Sequence, residues 1–439
     1  MPTANVSAAQ MLQSKIKDKS AKVGVVGLGY VGLPLAVEFA KAGFFVTGID
    51  VLDDKVDSIN RGESYVQDIP THVLRPLVES GRLAATTDFS AVGYLDTINI
   101  AVPTPLRKTK DPDMTFIDNA CASITKHFGE GKLVILESTT YPGTTEEVVL
   151  PMLTRDGLKV GEDFFLCFSP ERVDPGNEKY QTHNIPKVVG GVTAACTEMG
   201  ALFYGQALEH VVPVSSTNVA EMVKLLENTF RMINIGLANE IAMMCDRMGI
   251  NVWEVIDAAA TKPFGFMPFY PGPGLGGHCI PIDPFYLSWK TKQAGIEARF
   301  IELAGYINGQ MPHFVLEKIQ NSLNNASKSL KGSHVHIMGV AYKRNIDDVR
   351  ESPALDIMHL LRQRGSTVTY SDPYVPQLHL DGGDLKSQDP HLSVPAADCV
   401  VIVTDHTGFN YAFIVENAML IVDTRNALKN FKSEKIVRL

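Results

Sequence analysis

The chain has 439 residues, of which 45% are hydrophobic and 20% charged, and its 40 Lys and Arg against 49 Asp and Glu leave a net charge of −9. That is an ordinary globular composition with material for about three domains. The acidic balance removes the broad basic footprint of nonspecific nucleic-acid binding, and no apolar run is long enough to predict a membrane-spanning helix.

Residues 1–20 (MPTANVSAAQMLQSKIKDKS) lack the apolar stretch of a signal peptide and read as a frayed polar leader. KVGVVG (22–27) then reads as a buried parallel strand. GLGYVG (27–32) follows at once, and LPLAVEFAKAG continues with helical spacing to Gly43. FFVTGID is a second strand, ending in Asp50. A G-x-G-x-x-G between strand and helix, with an acid closing the next strand, predicts a dinucleotide site. Gly27 permits the tight turn, Gly29 lets the backbone approach a pyrophosphate, and Gly32 lets helix pack on strand. Tyr30 and Val31 complete this loop, at a helix N-terminus whose N–H groups attract phosphates. Asp50 would bind an adenosine ribose and repel a 2′-phosphate, which points to NAD rather than NADP. The alternative is a structural βαβ turn that binds nothing. Lys55 is either a solvated charge or a cofactor contact.

TINIAVPTP (97–105) and KLVILESTTYPGTT (132–145) are strands with polar ends. Thr104 and Thr139 lie where ligands sit in open α/β sheets, or they are turn-capping threonines. DFFLCFSPERVDPG (163–176) is a strand followed by a polar loop carrying Glu171 and Arg172. A long helical pattern runs from Asn218 to Met248, stopped by Gly249, with Asn218-x-x-Glu221 resembling a capping arrangement. A helix of this length bridges domains or subunits. Glu221, Lys224, Asn228 and Arg231 share one of its faces, as a solvent stripe of ion pairs or as a functional row.

In FMPFYPGPGLGGHCIPIDPFYLSWK (266–290), Gly272, Gly274, Gly276 and Gly277 crowd next to Cys279. Such a loop is laid closely against something flat or phosphorylated. A cytosolic cysteine is usually a small buried hydrophobe; the glycine-rich setting moves Cys279 toward a nucleophile, with Asp283 close behind and His278 read as structural. The six cysteines include no CxxC pair, which argues against a zinc site or disulfides and fits a reducing cytoplasm with no metal. Beyond residue 330 the α/β alternation restarts, with strands in 334–343, 366–373, 398–406 and 418–424 and a helix in 352–365. Lys343, Arg344 and Arg350, at a strand end, suit phosphate recognition or are solvated loop charges. The fold class is α/β, with two Rossmann-like doubly wound domains joined by a long central helix and a helical middle.

Taken together, GLGYVG, AVPTP (101–105), ESTTYPGTT (137–145), SPERVDPG (169–176), AEMVKLLENTFR (220–231), GPGLGGHCIPIDPFYL (272–287), GVAYK (339–343) and DDVRESPA (347–354) resemble the UDP-glucose/GDP-mannose dehydrogenase family, the NAD-dependent nucleotide-sugar 6-dehydrogenases. The resemblance extends from about Lys22 to the end of the chain. It implies oxidation of a sugar C6 alcohol to the carboxylate with two NAD⁺ and one water. Cys279 matches the nucleophile that traps the aldehyde as a thiohemiacetal, which becomes a thioester and is hydrolysed. Lys224 and Asn228 match the pair that holds the C6 oxygen and stabilises an oxyanion. Asp283 matches a carboxylate that assists water or proton transfer. Glu171 matches an acid/base group working through a water with Thr139. Glu171, Arg172, Val173, Lys224, Asn228, Phe269, Tyr270, Gly276, Tyr342 and Lys343 would contact the UDP-sugar. Arg350 would reach the NAD side.

The cysteine loop looks most like the branch that oxidises UDP-N-acetylglucosamine, with the UDP-N-acetylmannosamine branch as neighbour. Where UDP-glucose dehydrogenases carry a second glutamate this chain has Pro175, and the basic residue those enzymes use upstream of the cysteine is not evident in the region Lys262-Pro263-Phe264-Gly265. Both departures argue against plain UDP-glucose. The implied organisation is an NAD domain over 21–213, a helical and dimerising middle with the cysteine loop over 214–315, and a UDP-binding domain over 316–439. The implied setting is a cytoplasmic homodimer or higher homo-oligomer, with no nucleic-acid or membrane partner, supplying surface polysaccharide such as O-antigen. Three rival readings are a UDP-N-acetylmannosamine or UDP-glucose enzyme with the same mechanism, a two-electron hydroxyacid dehydrogenase with Lys224 as its only catalyst, which leaves Cys279 idle, and a non-catalytic NAD or sugar sensor.

Overall fold

A computed structural model describes residues 7–439 apart from 67, 108–110, 155–156, 175–176 and 178, so Pro175 lies outside the described residues. The chain divides into two compact units. The first runs to Glu227 and takes in Trp289–Gly295; the second comprises Asn228–Ser288 and Ile296–Leu439.

The first unit is built on eight strands: β1 Lys22–Val26, β2 Phe45–Ile49, β3 Leu83–Thr86, β4 Thr97–Ile100, β5 Lys132–Leu136, β6 Phe164–Phe168, β7 Lys187–Gly191 and β8 Val211–Val214. Their order in the sheet is β3-β2-β1-β4-β5-β6-β7-β8. Neighbours are parallel, except that β7 runs antiparallel to β6. Both faces are covered. Leu133 and Ile135 of β5 join the core containing Phe39 and Phe203, while Val134 and Leu136 join the one containing Ile98 and Phe164. A strand buried on both sides carries a continuous apolar run, which is why β5 and β6 are legible in the sequence. The order reverses between β1 and β4, so a crevice opens beyond their carboxyl ends.

The leader needs correcting. Ala8–Lys17 is a helix, started by a reciprocal capping box between Ser7 and Gln10. Leu12 and Ile16, one turn apart, are buried in the same core as Phe203 and Tyr204. The segment has little hydrophobicity overall but concentrates it on one face, and the helix Ala194–Tyr204 receives that face.

The helix Thr217–Met248 runs from the first unit into the second. Ser216 caps it, its hydroxyl accepting the Val219 N–H at 3.3 Å. The expected Asn218–Glu221 capping arrangement is not formed. Glu221 instead accepts the N–H groups of Gly143 (2.6 Å) and Thr145 (2.9 Å) and the Thr145 hydroxyl (2.7 Å), while Asn218 donates to Glu146. Three donors from one turn outweigh a single end-of-helix N–H.

The second unit holds β9 His334–Met338, β10 Thr367–Ser371, β11 Gln377–Leu380, β12 Gly383–Lys386, β13 Cys399–Ile402, β14 Ile421–Asp423 and β15 Ile436–Arg438. Five of these form an all-parallel sheet in the order β10-β9-β13-β14-β15. Its order reverses between β9 and β13, so a second crevice lies beyond their ends. β11 and β12 form a separate hairpin through Asp381 and Gly382, both at positive φ. Before this sheet come the helices Val252–Ala259 and Arg299–Asn325. Asn239 of the long helix and Asn308 of the latter are hydrogen bonded at 2.8 Å, and Asn239 also accepts the Gly272 N–H, which pins the start of the cysteine loop. Among the described residues no helix is long and apolar enough to cross a membrane.

Candidate active site

The dinucleotide loop leaves β1 at Gly27, which has φ +90; a side chain there would meet the Ala101 carbonyl oxygen at 2.5 Å. One at Gly32 would meet the Gly27 carbonyl oxygen at 1.8 Å, while one at Gly29 would meet nothing within 4 Å. The outer two glycines are therefore demanded by packing, and the middle one leaves open space at the strand ends, as approach to a pyrophosphate requires. No side chain caps the following helix Gly32–Lys41. Asp50 is buried, accepting the Leu28 N–H at 2.8 Å and the Leu52 N–H at 3.1 Å, with Lys55 at 3.3 Å. Lys55 is thus paired with Asp50 rather than simply solvated. Tyr30 is exposed and Val31 half-buried beside the open glycine; Thr104 is buried just past β4. These residues fit a dinucleotide.

Beyond β5 and β6 the ends are charged. Thr139 lies half-buried just past β5. Glu171, just past β6, accepts the N–H groups of Arg172 and Val173 on one carboxylate oxygen, both at 2.7 Å. Its other oxygen is 3.5 Å from the Lys187 ammonium. Lys224 donates to the Glu171 backbone carbonyl at 2.5 Å, not to its carboxylate. Burial alone would raise the Glu171 carboxyl. Lys187, the Val173 N–H, Lys224 and the Arg172 N–H together hold it below the ordinary carboxylate value. Glu171 is therefore an anion at neutral pH, suited to taking a proton rather than giving one. Arg172 is held by Glu227, at 2.6 Å, and by the Pro186 carbonyl.

The long helix settles its polar row. Glu221, Lys224 and Asn228 are 0%, 8% and 6% exposed, so they are no solvent stripe, whereas Arg231 is exposed. In the second unit Asn228 donates to the buried Asp283 carboxylate at 2.5 Å. The Asp283 N–H donates to the Cys279 carbonyl at 2.8 Å, which ties the thiol's own turn to Asp283. Cys279 is exposed and the other five cysteines are buried, so Cys279 is not a small core hydrophobe.

The flat partner of the glycine loop is Tyr342. A side chain at Gly277 would meet its ring at 2.8 Å, and one at Gly276 its Cβ at 2.6 Å. A side chain at Gly272 would meet the Arg425 guanidinium at 2.7 Å, and one at Gly274 would meet Pro353 at 3.1 Å. Arg350 turns its guanidinium onto Asp348 while its carbonyl accepts the Gly277 N–H. Phe269 packs edge-on against Phe230, and Tyr270 stacks on Trp253 with its hydroxyl on Asp257.

At the ends of β13 and β14 lies a cavity of about 460 Å³, lined in part by Trp253, Tyr270, Arg344, His406, Arg425 and Lys429. The half-buried Arg425 is brought down to about 10 by desolvation and by the nearby Arg344 charge. The Trp253 indole N–H has no hydrogen-bond partner among the described residues. Arg344, paired with Asp405 in the same lining, together with Arg425 and Lys429 gives this cavity the cations that phosphate oxygens require. Half-buried Lys343 and Tyr342 sit at the end of the adjacent β9. The sequence reading missed Arg425, Lys429, Trp253, Lys187 and Glu137. Arg425 carried a signal, since it stands immediately past a recognised strand end.

With the matches that follow, a dinucleotide-fitting first sheet and a cation-lined cavity at the second define an NAD-dependent nucleotide-sugar dehydrogenase, acting on a CH–OH group. The chain belongs to the UDP-glucose/GDP-mannose dehydrogenase family: residues 21–208 match its NAD binding domain, 218–310 its central domain and 336–430 its UDP binding domain. It is 38% identical to the UDP-N-acetyl-D-mannosamine dehydrogenase of Salmonella typhi, covering 88% of this chain and 94% of that protein. It is 35% identical to an NDP-N-acetyl-D-galactosaminuronic acid dehydrogenase of Ralstonia solanacearum, covering 92% and 95%. The solved UDP-D-ManNAc dehydrogenase of Pyrococcus horikoshii superposes with a TM-score of 0.87 at 33% identity, over 95% of this chain and 98% of that one.

Proposed function

We propose that this enzyme oxidises the C6 alcohol of a UDP-N-acetylhexosamine to the carboxylate through a Cys279 thioester, with UDP-N-acetylmannosamine as the preferred sugar. One observation carries the mechanism: the accessible Cys279 is tied through its own carbonyl to Asp283, whose carboxylate orients the Asn228 amide. The sugar preference rests on what the similar proteins act on. UDP-N-acetylglucosamine, favoured by the wording of the cysteine loop, is the second reading.

NAD⁺, which the loop of Gly27, Gly29 and Gly32 with Asp50 would hold, would supply the hydride acceptor for each oxidation. Lys224 and Asn228, one helical turn apart, hold the C6 oxygen and stabilise its developing negative charge, a contribution of about 3–4 kcal/mol per donor. The Cys279 thiolate adds to the aldehyde carbon and forms the C–S bond of a thiohemiacetal. Loss of the second hydride leaves a thioester. Water, deprotonated by Asp283 or Glu171, adds to that carbon; the C–S bond breaks and sulfur leaves as thiolate. Per sugar the alcohol and one water give the carboxylate, two hydrides and three protons. The UDP moiety occupies the cavity of Arg344, Arg425 and Lys429, with Tyr342 and Lys343 toward the sugar.

We keep the three-part organisation 21–213, 214–315 and 316–439, and a homodimer built on the long helix. Leu226, Phe230, Leu237, Met244 and Met248 are all exposed at helical spacing along it. The product, a UDP-linked uronic acid, suits the assembly of surface polysaccharide.

The test is NADH formed per sugar consumed, run to completion with UDP-N-acetylmannosamine, UDP-N-acetylglucosamine, UDP-N-acetylgalactosamine and UDP-glucose, alongside Cys279→Ser. Two NADH per UDP-N-acetylmannosamine, and no completed oxidation by the variant, is the expected result. One NADH per sugar, or a fully active variant, removes the thioester. Preference for another of the four sugars renames the substrate and leaves the mechanism standing.

A further inference from the structure

We infer that Lys187 is a positioning residue for the oxidation: its ammonium ties the Glu171 carboxylate to a buried Glu137–Tyr204–Asn99 network and holds it as a fixed proton acceptor. The inference rests on the reading that places Glu171 at the reacting centre.

Lys187 opens β7, and its side chain is only 6% exposed. A cation so deep in a sheet is costly unless paired and hydrogen bonded. Its first partner is Glu137, at 2.5 Å, the residue that follows β5. Glu137 is fully enclosed, with Asn99 of β4 donating to it at 2.9 Å and Tyr204 donating its hydroxyl. Asn99 also reaches the Tyr204 hydroxyl at 3.1 Å. A structural ion pair would be complete with these groups. Lys187 has a second link, to Glu171 at 3.5 Å, in the loop that carries the site.

The result is a chain of contacts from the interior of the sheet to one carboxylate at its mouth. Two anions, Glu137 and Glu171, face two cations, Lys187 and Lys224, and Lys224 meets Glu171 at the carbonyl. The remaining nearby charges, Arg172 and Glu227, are paired with each other. Lys187 is therefore the cation in contact with the Glu171 carboxylate among the described groups. Its charge is sustained by this pairing: burial would bring the ammonium down, but Glu137 and Glu171 raise it above its ordinary value. An opposite charge at such range typically lowers a carboxyl by about 1–3 pH units.

The experiment uses the double variant Lys187→Met with Glu137→Gln, which removes both charges of the inner pair, and Lys187→Arg, which keeps the cation. For each, the pH dependence of kcat and KM is measured, together with the titration of Glu171 by carbon NMR of the labelled carboxyl. The double variant should raise the Glu171 titration and the acidic limb of kcat by about one pH unit or more, lowering kcat about tenfold on that limb with KM changed far less. Lys187→Arg should keep the limb in place, because the cation remains, but lower the plateau kcat several-fold at unchanged KM. An unmoved Glu171 titration in the folded double variant overturns the inference. A moved titration with an unmoved profile also overturns it, and assigns the failure to the role given to Glu171. Should the double variant not fold, Lys187→Arg decides alone. A several-fold lower kcat at unchanged KM supports positioning, because a forked guanidinium cannot sit between the carboxylates as a point charge does. An unchanged kcat refutes it.

Discussion

At the scale of single residues, glycines at this site serve different masters. Gly277 has φ +83, and its hydrogen faces the Tyr342 ring at a distance no carbon could share. Gly277→Ala should cost about 2–4 kcal/mol, combining left-handed strain with overpacking. It should also lower kcat, because the displaced loop carries Cys279. Gly29 faces open space, so Gly29→Ala should leave the melting temperature near wild type while raising KM for NAD several-fold. Thermal melts and NAD saturation curves on the pair check this; a destabilised Gly29→Ala, or an inert Gly277→Ala, contradicts it. The need for glycine at both places was legible from the motifs. What each glycine abuts was not, because Tyr342 comes from a distant strand end.

Among the elements, the long helix is docked to the turn after β5 through Glu221. Burial raises this carboxyl to about 7, against the lowering effect of the Gly143 and Thr145 donors. An acid whose native value is raised binds its proton more tightly in the folded state. Its contribution is full below the ordinary value near 4.5 and is lost as pH climbs to about 7, about 3 kcal/mol in all. Glu221→Gln removes that titration, so its melting temperature should fall less than wild type's between pH 5 and 8. Parallel curves for the two proteins would contradict it. The sequence showed a helix, its length and its buried-capable face. It misled at the start, where Asn218 and Glu221 have a capping spacing but the turn offers more donors. The hairpin at Asp381-Gly382 had a recognisable Asp-Gly signal that the reading did not use.

For the molecule as a whole, the exposed face of the long helix bears on assembly. Leu226 and Phe230 are 58% and 45% exposed, a poor arrangement for a solvated helix face. If that face joins two copies, Leu226→Glu with Phe230→Glu should shift sedimentation from dimer to monomer. A wild-type monomer, or a double variant that remains dimeric, contradicts this assignment.

The amino-acid order alone determined both doubly wound sheets, the NAD pattern and the family, because turn sterics and strand burial are written in adjacent residues. It also put forward Cys279, Lys224, Asn228 and Asp283 as candidates, because they sit on one helix face or in one loop, with roles implied by the family resemblance. Only the tertiary structure decided that Ala8–Lys17 of the leader is a docked helix, that Glu171 is gripped by Lys187, and that Arg425 and Trp253 share a cavity with Arg344. Those facts depend on which distant segments share a core or meet at a strand end. A lysine opening a strand looks the same in sequence whether it points to water or, as Lys187 does, to one buried and one half-buried carboxylate.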